Sequence, residues 1–180
     1  ACARGRLECA QALIDAGAAV DMVEDNTNGN TALMIACASG HQECAQALID
    51  AGAAVDKVNN KVYNGWTALM RACGSGHLEC AQALIDAKAA LNYGEGYSGT
   101  TALMYACGSG HVACARALIK ANAALDVEYD MTGTALIHAC AAGHQECAQA
   151  LIDAGAAVDM VTNDGNTALM IASEWAAQAR

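Results

Sequence analysis

A 25-residue frame recurs along this chain without an insertion, at Thr31–Val55, Thr67–Leu91, Thr101–Leu125 and Thr134–Val158. Its back half opens the chain at Ala1–Val20, and its front half closes it at Thr167–Ala172. The stretches that follow the copies differ in length: 11 residues at Asp56–Trp66, 9 at Asn92–Thr100, and 8 each at Asp126–Gly133 and Asp159–Asn166. A frame of fixed length carrying a tip of variable length is the pattern of stacked repeats, in which each short unit buries its apolar face only against its neighbours.

Inside the frame, Thr31 is a good helix N-cap, and Leu33, Ala36 and Cys37 follow at helical spacing. Gly40 stops that helix, and His41-Gln42-Glu43 opens a second one whose face is Cys44, Ala47 and Leu48, with Ile49 beside it. Ala51-Gly52 ends the second helix, since glycine tolerates the left-handed conformation a helix C-terminus often needs. The unit is therefore helix, tight turn, helix and finger. Neither helix is long enough to stand alone, so each must be covered by the next unit.

These residues resemble the ankyrin repeat, whose unit carries the pattern T-P-L-H-x-A followed by two helices. The likeness runs through Thr-Ala-Leu at Thr31, Thr67, Thr101, Thr134 and Thr167, then Ala-Cys, Gly-His, the Ala-Leu-Ile of the second helix, and Ala-Gly-Ala-Ala-Val-Asp. It covers essentially the whole chain, and the Ala-Leu-Met, paired-cysteine variant looks most like arrays from algae and other protists. The resemblance implies an all-α ankyrin-repeat solenoid of stacked helix-turn-helix units with β-turn fingers. On this reading 1–180 is a single array, with a partial repeat at 1–30, full repeats at 31–66, 67–100, 101–133 and 134–166, and a partial or capping repeat at 167–180.

Three departures carry expectations. Ala32, Ala68, Ala102, Ala135 and Ala168 stand where the family has Pro. Met34, Met70, Met104, Met170 and Ile137 stand where it has His, so apolar packing must replace that side chain's hydrogen bonds. The C-cap glycine is Lys88 in one copy and Asn122 in the next; lysine tolerates the left-handed conformation less well than Asn or Gly, which marks 67–91 as a weak point.

Net charge is −10, from 19 acidic and 9 basic residues, which argues against nucleic-acid binding and favours partners with a basic patch. No apolar run approaches the roughly 18 residues of a membrane span, so direct membrane insertion is not expected. The opening in mid-repeat suggests a piece of a longer chain. The ten cysteines fall in pairs seven residues apart, in phase with Leu and Ala, as in Cys37/Cys44 and Cys73/Cys80. Free cysteine behaves as a small buried hydrophobe, which points to a reducing intracellular compartment, the cytoplasm first.

Cys37/His41/Cys44, Cys73/His77/Cys80, Cys107/His111/Cys114 and Cys140/His144/Cys147 also spell C-x3-H-x2-C, a zinc-like ligand set. Against a metal, every one of these residues occupies an ordinary frame position, and Arg6 replaces the histidine in the leading unit. Intra-repeat disulfides are a second alternative, provided the Cβ atoms approach suitably. No cofactor is expected. Nor is catalysis: no Ser/His/Asp set stands out, and Gly94-Glu95-Gly96 is a finger rather than a phosphate loop.

What varies on this constant background is aromatic. Of seven aromatic residues, Tyr63, Trp66, Tyr93, Tyr97 and Tyr129 lie in fingers and Tyr105 in the first turn of a first helix. One frame position reads Ile35, Arg71, Tyr105, His138 and Ile171. The resemblance puts binding on the concave surface built from fingers and inner helices, and Tyr and Trp are common interface anchors. The expected footprint for a protein partner is Tyr63, Trp66, Arg71, Tyr93, Tyr97, Tyr105, Tyr129 and His138, flanked by Asp126, Glu128 and Asp130. Finger-on-finger stacking is the bland alternative for any one ring. Two other roles stay open: an accessory subunit bracing a large assembly, or the targeting arm of a larger enzyme.

Overall fold

Every frame threonine starts a helix in the computed structural model, which describes residues 2–24, 29–59, 65–96, 98–128 and 133–178. Oγ1 of Thr31, Thr67, Thr101, Thr134 and Thr167 accepts the N–H three residues on, at 3.2, 3.3, 3.3, 3.4 and 3.3 Å. Each bond satisfies one N–H that the first helical turn leaves without an intrahelical partner. The first helices so begun are α2 (Ala32–Ala38), α4 (Ala68–Gly74), α6 (Ala102–Gly108), α8 (Ala135–Ala141) and α10 (Ala168–Gln178). The second helices are α1 (Leu7–Asp15), α3 (Gln42–Asp50), α5 (Leu78–Asp86), α7 (Val112–Lys120) and α9 (Gln145–Asp153), and a 3-10 turn at Cys2–Arg4 precedes α1. Among the described residues there are two isolated antiparallel bridges, Val23 with Thr31 and Val161 with Thr167, and no strand.

The chain divides into two compact units, Ala1–Ala90 and Leu91–Arg180. In the first, α2 packs against the 3-10 turn, α3 and α4, while α5 packs on α4 and α3, and α3 on α1. In the second, α8 packs against α6, α9 and α10, and α7 packs on α6 and α9. The apolar stripe of every internal helix is sealed in these contacts. Leu33, Met34, Leu69, Met70 and Leu84 are fully buried in the first unit, and Leu103, Met104, Leu118 and Leu151 in the second. Met34, Met70 and Met104 thus pack as core side chains where the family carries histidine. Met104 keeps a polar contact as well, its Sδ accepting the Thr101 N–H at 3.4 Å.

Seven of the ten cysteines are buried; Cys2 and Cys140 are half-buried and Cys9 is exposed. Uniform burial therefore fails at Cys9, because α1 has no first helix of a preceding repeat beside it among the described residues. Asp15, Asp50, Asp86 and Asp153 share one exposed frame position, each accepting the side-chain N–H of the glutamine four residues earlier at 2.7–2.8 Å.

Backbone hydrogen bonds to one side chain join successive repeats. Asp21 Oδ1 accepts the Ala54 N–H at 3.0 Å, and Asp56 that of Ala90 at 2.7 Å. In the second unit Asn92 accepts from Ala124 at 2.8 Å and Asp126 from Ala157 at 2.9 Å. The fingers close by a backbone bond: the N–H of Glu24, Asn59 and Glu95, each three residues beyond such an acceptor, and that of Thr162 donate to the carbonyls of Asn30, Trp66, Thr100 and Asn166, at 3.0, 3.0, 3.1 and 3.0 Å.

Two stability outcomes follow from this packing. Leu84→Ala empties a fully buried site and should lower unfolding free energy by about 2–5 kcal/mol in a denaturant titration. Lys88 holds φ at 64° where Gly52 and Gly155 hold 83° and 89°, so Lys88→Gly should raise stability by about 1 kcal/mol. An unchanged or lowered midpoint in urea for the glycine variant would remove the strain argument.

Candidate functional site

Trp66 immediately precedes the Thr67 cap, and Arg71 lies one turn into α4, so the two side chains rise from the junction of finger and helix. The Arg71 Cζ sits 4.4 Å from the centroid of the Trp66 ring, a cation–π contact. Arg71 Nη2 also donates to Asn30 Oδ1 at 3.3 Å. That oxygen accepts from Asn59 Nδ2 as well, at 3.2 Å, and Asn30 Nδ2 donates to Glu24 Oε1 at 2.7 Å. Asn59 Oδ1 in turn accepts the Trp66 N–H at 2.7 Å. The first unit thus brings Trp66 and Arg71 together, as a pair braced by Asn30, Asn59 and Glu24.

Those three bracing residues were not among the expected site residues. Their signal is positional: Glu24 and Asn59 share the finger-closing position, and Asn30 shares with Trp66 the position before the cap. Neither position shows its role without the neighbouring repeat in place.

In the second unit α6 and α8 pack side by side, carrying Tyr105 and His138 at the same frame position; both are half-buried. A Cβ placed on Gly108 would lie 3.5 Å from His138 Nδ1, an ordinary contact distance, so the imidazole lies beside the end of α6. His138 Nε2 is buried without a hydrogen-bond partner among the described residues. Burial, which disfavours the charged imidazolium, pushes the His138 pKa below its ordinary value.

Tyr93 is half-buried in its finger, and Asp126 and Glu128 are exposed. Asp126 already accepts the Ala157 N–H, so one of its oxygens belongs to the link between repeats. Nearby, the buried Glu95 carboxylate accepts the Ser98 hydroxyl, and the Ser98 and Thr100 hydroxyls lie 2.6 Å apart, a brace for the second unit's first finger. Tyr63, Tyr97, Tyr129 and Asp130 lie outside the described residues.

The repeated histidines and cysteines are engaged across repeats. His77 lies against Gly40 of the preceding repeat, where a Cβ would come within 2.6 Å of the ring, and His144 lies against Gly110 in the same way at 2.7 Å. Both glycines also hold positive φ, 72° and 75°, so the tight turn and the stacked ring each demand glycine there. Cys80 of the following repeat is the thiol that influences Cys37, as Cys147 is for Cys107 and Cys2 for Cys44. Cys80 and burial hold the Cys37 thiol well above the usual range, and burial does the same at Cys107. Among the described residues no three of His, Cys, Asp and Glu are placed to hold one metal ion. Nor is any helix there long and apolar enough to cross a membrane.

A family model described as ankyrin repeats (3 copies) matches residues 1–59, 51–129 and 124–179. No curated protein matches the chain.

The buried His138 carries a pH signature. With its folded pKa lowered from 6.5, the unfolded chain binds the proton more readily in the window between the two values. Stability is then complete above about pH 6.5 and declines as pH falls towards the folded pKa. His138→Leu should flatten that decline between about pH 7.5 and 5.5 in thermal melts; a slope identical to the parent's would exclude His138 as its source.

Proposed function

The chain belongs to the ankyrin-repeat family, whose arrays are protein-binding modules typically without catalysis of their own, and on that premise we propose that it recognises a protein partner through its finger and first-helix residues. The Trp66–Arg71 pair carries this reading. It places a large aromatic face and a guanidinium at positions the frame leaves variable, on backbone whose geometry the caps and the inter-repeat bonds hold fixed. Such preorganisation lowers the ordering cost of binding. Trp and Arg are also the residue types that most often dominate interface energetics.

Within the second unit, Tyr93, Tyr105 and His138 are the recognition residues on this reading. The net charge of −10, with Glu128 exposed in a finger, favours a partner presenting basic groups, which would associate faster at low salt. The core role of the buried cysteines supports a reducing, cytoplasmic setting.

Affinity capture of a partner by the wild-type chain, followed by titration against variants, tests the proposal. Trp66→Ala and Arg71→Ala should each weaken the complex by about 5- to 30-fold with helicity unchanged, and Leu84→Ala should act only through folding. Wild-type affinity in the double variant Trp66→Ala/Arg71→Ala would place recognition elsewhere.

A further inference from the structure

The second helices repeat one exposed stripe: Glu8, Glu43, Glu79 and Glu146 at one frame position, Gln11, Gln46, Gln82 and Gln149 at another, and Asp15, Asp50, Asp86 and Asp153 at a third. Helix α7 departs at all three, with Ala113, Arg116 and Lys120. Glu and Asp give the stripe a charge of −2 on α1, α3, α5 and α9, whereas Arg and Lys give it +2 on α7. The exchange also removes a bond. On the other four helices the glutamine amide donates to the aspartate at 2.7–2.8 Å. Arg116 and Lys120 are instead two like charges four residues apart on one helical face, an arrangement that destabilises a helix. The helix dipole favours Lys120 in the last turn of α7, but that attraction does not extend to Arg116. Among the described residues neither side chain is held in an ion pair.

Helices α7 and α9 pack together, and an open groove of about 590 Å³ runs along them, lined by Val112, Ala113, Arg116, Gln145, Glu146 and Gln149. Ala113, Arg116 and Lys120 are all exposed. The matching groove of the first unit, between α3 and α5, is about 320 Å³; it carries Glu79 and Asp86 and no basic residue.

We propose that the groove between α7 and α9 is a second interaction surface, which takes an acidic segment of a protein partner. Arg116 and Lys120 present cationic donors one helical turn apart to the segment's carboxylates. Val112 and Ala113 give its apolar side chains a floor, and the Gln145 and Gln149 amides can bond its backbone. Glu146 repels carboxylates from the α9 side and so fixes which way the segment lies. A carboxylate bound between Arg116 and Lys120 also relieves their mutual repulsion, which the unbound chain carries. Second helices build this face, so it shares no residue with the finger and first-helix surface proposed above and does not depend on that reading.

Fluorescence anisotropy of the full chain with a labelled peptide of alternating Glu and Leu, and with its counterpart carrying Gln in place of Glu, tests the proposal. The acidic peptide should bind more tightly than the neutral one and lose affinity as salt is raised. The triple variant Ala113→Glu/Arg116→Gln/Lys120→Asp gives α7 the stripe of the other second helices, so helicity should be kept. It should weaken binding of the acidic peptide at least about fivefold. Trp66→Ala/Arg71→Ala should leave that affinity unchanged, which separates the groove from the finger surface. Equal affinity for the two peptides, parental affinity in the triple variant, or lost affinity in Trp66→Ala/Arg71→Ala would each overturn the proposal. So would a thermal midpoint lowered by more than about 5 °C in the triple variant, which would assign Arg116 and Lys120 to holding α7 against α9.

Discussion

A helix of seven residues, such as Ala32–Ala38, forms too few backbone hydrogen bonds in water to offset the entropy of nucleating it. Everything else in the protein depends on how that deficit is met. Each short first helix is capped by a threonine and covered by a second helix of nine residues and by the first helix of the neighbouring repeat. The apolar stripes of Leu33/Met34, Leu69/Met70 and Leu103/Met104 vanish from solvent as a result. Where coverage ends, the same frame residues emerge: Leu169 and Met170 on α10 are 76 % and 53 % exposed. Burial here belongs to the junction, not to the residue type.

Burial by itself is not directional, and polar contacts set the register of the junctions. An Asp or Asn in one finger accepts a backbone N–H from the next repeat, from Asp21 through to Asp126. A histidine ring lies against a glycine of the repeat before it, as His77 does on Gly40. These contacts use one side chain each, so they repeat with the frame and leave the finger beyond them free to vary. That division of labour allows fingers of different length and composition to be carried on an unchanged backbone.

The proposed recognition residues exploit that freedom. Trp66 and Arg71 are held by neighbours in two fingers, so a change at Asn30 or Asn59 would reach the proposed binding pair without touching a partner. His138 illustrates the opposite case, a polar ring at a variable position that burial keeps neutral and that lacks a bonded neighbour for Nε2 among the described residues. The proposed recognition role and a stability cost then sit in one side chain, which is how functional positions often depart from the pattern around them.

Much was legible in the sequence, because the features concerned are local and repeat. The threonine caps, the two helices per frame, the left-handed Lys88 and Asn122, and the methionines as core all follow from residues within one unit, and the recurring motifs identify the ankyrin family. Tertiary structure decided what lies between units. Cysteines seven residues apart invite pairing within a repeat, yet the thiol that acts on Cys37 is Cys80 and the one that acts on Cys107 is Cys147, each in the following repeat. Asp126 reads as a surface acid, yet one oxygen is committed to Ala157. Arg71 stacks directly on Trp66, yet its guanidinium is braced by Asn30, 41 residues earlier in the chain. The physical reason is the same each time: capping and periodicity are set by neighbours along the chain, whereas hydrogen-bond partners at a junction are set by which repeat stacks on which.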